Sequence, residues 1–235
     1  MYPVVYALLP SKSEQVYTRF FNLVQRTMIT NNLPFSPTTI FMDFERAAHN
    51  AIRSVCHEIT IKGCFFHYTQ CIWRKAQMTG LQIPYRDNED IRKLVRCAAA
   101  LPPVPEYQVE DAWFHCLKDL DDTDLPVDTT PFTDHIITQC IEHDHTVWNH
   151  FNTEGSRTAN HIEAWHGKVQ KKVQHCHPNI YAMIQASNEI HRLPLQAGGT
   201  QRPRQYRNID SRLRLLKQRF TSNHIDLMTY IDPGI

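Results

Sequence analysis

The stretch Thr39-Ile40-Phe41-Met42-Asp43, followed by Phe44-Glu45-Arg46-Ala47-Ala48-His49-Asn50-Ala51-Ile52, decides the fold of this chain. A β-branched and aromatic run reads as a buried strand, and the segment after it has helical periodicity. Asp43 closes the run, and the carboxyl end of a strand is where open α/β sheets place their chemistry. Working outward, Val4 to Leu9 reads as an earlier strand closed by Pro10. Ser11 or Ser13 caps a helix with Val16, Phe20, Leu23, Val24 and Thr27 on one face, ended by Asn31-Asn32-Leu33-Pro34. The second strand runs Thr38 to Asp43, the second helix Glu45 to Val55, and the third strand Ile59 to Phe66. A helix from His67 to Met78 carries Ile72, Trp73 and Ala76 on an apolar stripe. The order β-α-β-α-β-α describes an α/β layer fold with at least partly parallel pairing.

The 235 residues are 42% hydrophobic, enough for one substantial core or a core plus an insertion. The net charge of +1 imposes no global field, but its distribution is uneven. Between Pro105 and Gly155, Lys118 is the only Lys or Arg against a dozen acids. Between Gln201 and Phe220, Arg202, Arg204, Arg207, Arg212, Arg214, Lys217 and Arg219 face Asp210 alone. That basic segment suits an anionic partner, with a solvated helix face as the competing reading. Seven cysteines without a CxxC pair argue against a disulfide framework and for a reducing compartment, cytosol or nucleus. The amino-terminal run lacks a basic leader and does not read as a signal peptide. No apolar run approaches membrane-spanning length.

From Tyr85 strand signals stop. Ile91 to Leu101, Val109 to Leu117 and Phe132 to Ile141 read as helices, so Tyr85 to Trp148 reads as an acidic α-helical insertion. Helices follow from His161 to about Val173, from Ile180 to Arg192 and, basic and amphipathic, from Ile209 to Phe220. Gln196 to Pro203 is a linker. The expected parts are the first portion of a core over 1–84, the insertion over 85–150, a return to the core over 151–193, and a linker with the basic helix over 194–235.

A second constellation is Thr158-Ala159-Asn160-His161-Ile162-Glu163-Ala164-Trp165-His166. Glu163 falls in the first turn of a helix. On spacing alone it is an acid favoured by the helix dipole. Paired with a strand-end carboxylate, it could hold Mg²⁺ for phosphoryl transfer, which needs hard oxygen ligands.

Several segments resemble the transposase domain of Mutator-like elements, the MULE family. They are Val4-Val5-Tyr6-Ala7-Leu8-Leu9-Pro10-Ser11-Lys12, Met42-Asp43-Phe44-Glu45-Arg46-Ala47-Ala48, Gly63-Cys64-Phe65-Phe66-His67 and Asn160-His161-Ile162-Glu163-Ala164-Trp165-His166. The likeness is dense from Pro3 to about Gln77. Tyr206 with Leu213-Arg214-Leu215-Leu216 resembles the family's tail more loosely. The resemblance implies an RNase H-like (DDE transposase) core, incomplete here, with a helical insertion ahead of the Glu-bearing helix. It implies Asp43 and Glu163 as catalytic, metal-ligating carboxylates that approach each other in the fold, and Mg²⁺ or Mn²⁺ as cofactor. It makes Cys64 and His67 the C/D-x-x-H motif.

The resemblance further implies DNA as partner, a nuclear location, and association with itself or with full-length transposase. Arg202, Arg204, Arg207, Arg212, Arg214 and Arg219 are the candidate DNA-contacting stripe. Cys64 and His67 would need two more ligands to hold zinc, from His175-Cys176-His177 or from His143, His145 and His150; a structural or site-supporting role is the stronger reading.

The departure lies at the start. The family's first catalytic Asp is on its first strand, and this chain starts at about the third. Glu14, the only acid before Asp43, sits at a helix start. Three readings follow: a transposase-derived protein inactive as this chain, a non-catalytic DNA- or protein-binding module, or a gene-model fragment that does not fold alone. Without central strands, the sheet is expected to present unpaired edges around Val5, Leu8, Ile40 and Phe41.

Overall fold

The computed structural model describes residues 5–121, 125–142, 145–153, 157, 167, 169, 171–173, 179–192 and 204–231, without side chains at 119, 121, 190–192 and 204–210. The chain divides into two compact units. One takes in Met1–Tyr6 and Ala159–Gln218, the other Ala7–Thr158 and Arg219–Ile235. The described residues are mostly helical around a small two-stranded parallel sheet, an α/β-like arrangement.

In the larger unit, Ser13 caps the first helix, α1 (Glu14–Thr30), its Oγ accepting from the Val16 amide at 3.4 Å. The cap satisfies one of the amides a helix start leaves without a carbonyl. Asn31 and Asn32 end α1, Asn32 at φ 55°, a left-handed conformation Asn tolerates. Strand β1 (Thr39–Met42), helix α2 (Arg46–Val55) and strand β2 (Thr60–Gly63) then form a β-α-β unit. The strands are parallel in the register Ile40↔Ile61 and Met42↔Gly63. Ile52 of α2 with Ile59 and Ile61 forms a buried cluster, closed by Phe21 of α1 and by Ile40, Met42, Cys56 and Val147. Burying one such side chain stabilises by roughly 1.5–3 kcal/mol.

The two edges of this sheet differ. Alternate residues of a strand turn their amides and carbonyls to opposite sides. On β2, Gly63 faces away from β1; its amide donates to the Val147 carbonyl at 2.7 Å and its carbonyl accepts from His150 Nε2 at 2.8 Å. Lys62 Nζ ties the same segment down through the carbonyls of Thr146 (2.7 Å) and Asn149 (2.9 Å). On β1, Thr38 and Met42 serve the β2 side, their carbonyls accepting from Thr60 and Cys64 at 2.9 Å. By the same alternation Thr39 and Phe41 turn outward. Among the described residues β1 has no strand neighbour other than β2.

The expected strand from Val4 to Leu9 is not present in its described part. Residues 5–9 are irregular, with Val5 48% and Leu8 52% exposed. Strand propensity becomes a strand only where a neighbour supplies hydrogen bonds and a surface to cover. A second correction concerns α1. It has no fully buried residue, and Leu23 is 61% exposed although the periodicity placed it with Val16, Phe20 and Val24. A third is that the strand expected to reach Phe66 stops at Gly63. Helix α3 (Phe65–Met78) starts at once, with Cys64 as its extended N-cap and the Tyr68 amide on the Cys64 carbonyl at 3.0 Å.

Beyond α3 come α4 (Pro84–Asp87), α5 (Glu89–Ala100), a 3₁₀ turn Glu106–Gln108, α6 (Val109–Asp121) and α7 (Thr130–Ile136). The continuous helix expected to Ile141 changes type: Ile137–Ile141 is a π turn, with the Glu142 amide on the Ile137 carbonyl. Leu94, Leu101, Trp113, Phe132 and Ile136 are fully buried, and Tyr68 of α3 spans this layer, donating to the Ala98 carbonyl at 3.0 Å and stacking on Trp148. A short helix, α10 (Leu227–Ile231), is anchored by the Tyr230 hydroxyl on the Pro103 carbonyl at 2.9 Å.

In the smaller unit, residues 167, 169 and 171–173 are helical. Helix α8 (Ile180–Arg192) is capped by Asn179, whose Oδ1 accepts from the Ala182 amide, and Lys172 pairs with Glu189. Helix α9 (Arg204–Thr221) carries the basic segment, and its last residues fall in the larger unit.

Candidate functional site

The carboxyl end of β1 gathers polar side chains from four elements. Asp43 follows directly on Met42, and its side chain is 62% exposed. A tight turn returns the chain, the Glu45 amide donating to the Asp43 carbonyl at 2.8 Å, and α2 begins one residue later. The same carbonyl accepts from His49 Nε2 at 2.7 Å, across the first turn of α2. On the other side His67 Nδ1 lies 2.8 Å from Asp43 Oδ1, within ion-pair distance. Backbone and side chain of Asp43 therefore each meet a different imidazole.

His67 can reach because β2 lies parallel beside β1 and α3 starts immediately after it, bringing its first turn level with the end of β1. Gly63 keeps the junction close. A methyl group there would fall inside the van der Waals surface of the Phe44 ring. Cys64 itself is fully buried.

Glu45 brings a second carboxylate to this end of the sheet, paired with Lys12 Nζ at 3.6 Å. Tyr17 of α1 borders it. Burial above all, then a hydrogen bond to Glu45 and the charges of Glu45 and Asp43, raise the Tyr17 phenol above its ordinary range. Burial above all lowers the His49 pKa, the hydrogen bond to the Asp43 carbonyl pulls the other way, and the charge of Arg53 lowers it further. Neither Glu45, Tyr17 nor His49 stood out in the sequence. The one available signal was that His49 lies one helical turn beyond Glu45, on the face that returns to the strand end.

The other expected site residues fall elsewhere. Glu163 lies outside the described residues, as do Arg202, His143, His175, Cys176 and His177. His150 is not available to a zinc ion beside Cys64 and His67. Its Nε2 donates to Gly63 and its Nδ1 lies 3.1 Å from Thr153 Oγ1. His145 Nε2 is on the Ile141 carbonyl at 2.9 Å. Among the described residues no three His, Cys, Asp or Glu side chains gather closely enough to hold a metal ion. Asp43 supplies an exposed hard oxygen donor at the strand end.

The basic segment forms a helix, but its charges do not form one stripe. Arg212, Arg214 and Arg219 are exposed. At 3.6 residues per turn, Arg212 and Arg219 are seven positions apart and share a face, while Arg214 lies on the opposite side. Arg204 and Arg207 are within the helix, without described side chains. Among the described residues no helix is long and apolar enough to cross a membrane.

No curated protein and no solved structure matches the chain. Residues 1–71, the stretch that contains Asp43, Cys64 and His67 but neither the Glu163 segment nor the basic helix, match the family model of the MULE transposase domain, consistent with a protein derived from a MULE transposase.

Proposed function

We propose that this transposase-related chain is a DNA-associated, nuclear protein built on an RNase H-like core of the DDE type. In it Asp43 and Glu163 are the retained positions for Mg²⁺ or Mn²⁺, and the chain by itself does not cut DNA. The observation that carries the reading is the strand-end Asp43, exposed and held through its carboxylate by His67, within the stretch that matches the transposase domain. A carboxylate with an imidazole beside it is oriented for a cation in the way that polar neighbours orient metal ligands. DNA cleavage of this type clamps the attacking and leaving oxygens between two ions, which takes more carboxylates than these two.

The test is Mn²⁺ binding to the full chain, followed by electron paramagnetic resonance. Weak binding is expected, lowered in Asp43→Asn and in Glu163→Gln. His67→Ala should weaken it less, since His67 orients a ligand without being one. Binding unchanged in both carboxylate variants would remove the metal site from the reading.

A further inference from the structure

We propose that a cavity in the larger unit, between the 3₁₀ turn Glu106–Gln108 and the turn joining α9 to α10, binds a methylated ammonium group. Local hydrogen bonds build its walls. Where α9 ends, the His224 amide returns to the Arg219 carbonyl at 2.8 Å and Asn223 takes φ 54°, so the chain turns back at once. Asp226 then caps α10, its Oδ1 accepting from the Thr229 amide at 2.7 Å. The Tyr230–Pro103 hydrogen bond holds α10 against the segment that leads into the 3₁₀ turn. The cavity shares no residue with the Asp43 site.

The cavity has a volume of about 540 Å³, in the range of small-ligand sites. Three rings from separate segments line it, Tyr107, Phe151 and Phe220. Phe220 is stacked on Tyr230, with 4.7 Å between ring centroids, which fixes its orientation. Tyr107 is 82% exposed, so its ring is open to a ligand. Asp226 adds an exposed carboxylate, and the Thr229 amide and hydroxyl hold its pKa below the ordinary value. Among the described residues no Lys or Arg lines the cavity. Ring faces carry the negative part of the aromatic quadrupole and attract a cation. The carboxylate adds to that attraction and repels a phosphate. A bare ammonium brings three N–H donors that rings leave unsatisfied, whereas N-methyl groups remove those donors and pack against ring faces. The lining therefore fits the methylated ammonium of a lysine side chain in a partner protein, or that of a free quaternary ammonium compound.

Proton NMR titration of the full chain tests this, with end-blocked trimethyl-lysine and with choline as probes. Saturable binding is expected, with the N-methyl resonance shifted upfield by the rings. Tighter binding of the lysine derivative identifies a protein partner as the source, and tighter binding of choline a free ammonium compound. The neutral isostere of the lysine derivative, with a tert-butyl group in place of trimethylammonium, is expected to bind at least about tenfold more weakly. Tyr107→Ala should weaken binding about fivefold while Tyr107→Phe keeps it. Asp226→Asn leaves a good capping residue and removes the charge, and should weaken binding about threefold. No saturable binding of either cation, or equal binding of the neutral isostere, would overturn the proposal. Unchanged affinity in both Tyr107→Ala and Asp226→Asn would overturn it too, since the cation would then sit elsewhere.

Discussion

His150 makes the fold pH-dependent. It is 1% exposed, lies between the rings of Phe41 and Phe65, and closes the outer edge of β2 through Gly63. Its Nε2–H donates to a carbonyl, so Nδ1 carries the lone pair that accepts from the Thr153 hydroxyl. A proton on Nδ1 would displace that bond and place a buried charge near Lys62 and Arg157. Burial first, then those two cations, lower the His150 pKa from 6.5 to about 4, against the opposing pull of the Gly63 carbonyl.

In the unfolded chain the ring protonates near its ordinary pKa, so between about pH 6.5 and 4 the unfolded state binds more protons and stability falls as pH falls. The full effect is about 3 kcal/mol, of which about 2 kcal/mol is lost between pH 7.5 and 5. That is a large part of a total stability of roughly 5–15 kcal/mol.

The assay is urea unfolding at those two pH values, for the wild type and for His150→Gln, which keeps an amide donor for Gly63 without a titrating ring. The variant should be less stable at pH 7.5, through lost ring contacts. It should also lose about 2 kcal/mol less than the wild type on going to pH 5. Equal losses in the two proteins at unchanged m-value would show that His150 is not held neutral in the fold, and the reasoning would fail.

Gly63→Ala should destabilise by about 1–2 kcal/mol by pushing the Phe44 ring off the β1–β2 junction. In a Phe44→Ala background the same change should cost close to nothing, and equal costs in both backgrounds in chemical denaturation would refute the contact. DNA binding, measured by fluorescence anisotropy across a salt series, should lose about two units of slope in the Arg212→Gln/Arg219→Gln double variant and little more when Arg214→Gln is added to it. A slope that drops only with the third substitution would mean the other helix face is used. The purified chain with Mn²⁺ and labelled DNA should show no cleavage that depends on Asp43; cleavage abolished by Asp43→Ala would sink the inactive reading.

Local signals in the sequence carried most of the helices and the place of Asp43. Ser13 as cap, the Asn31-Asn32 stop, the apolar periods of α3 and α5 and the apolar run before Asp43 are set by neighbours a few residues apart, and each reads off the chain directly. The parallel pairing of β1 and β2 followed from the β-α-β order, because a short helical crossover leaves little else. Tertiary contact decided the rest. Residues 5–9 have the composition of a strand, yet a strand exists only beside a partner, and none of the described elements provides one. Leu23 fits the apolar face of α1 by period, but α2 and the sheet cover only part of that face. The motif joining Cys64 to His67 could be recognised as a pattern. That it buries the thiol and aims the imidazole at Asp43 depends on α3 starting level with the end of the neighbouring strand. His150 looked like one of several scattered histidines. Its place against Gly63, 87 positions away in sequence, arises only when the chain returns along β2, and no local periodicity records a contact of that range.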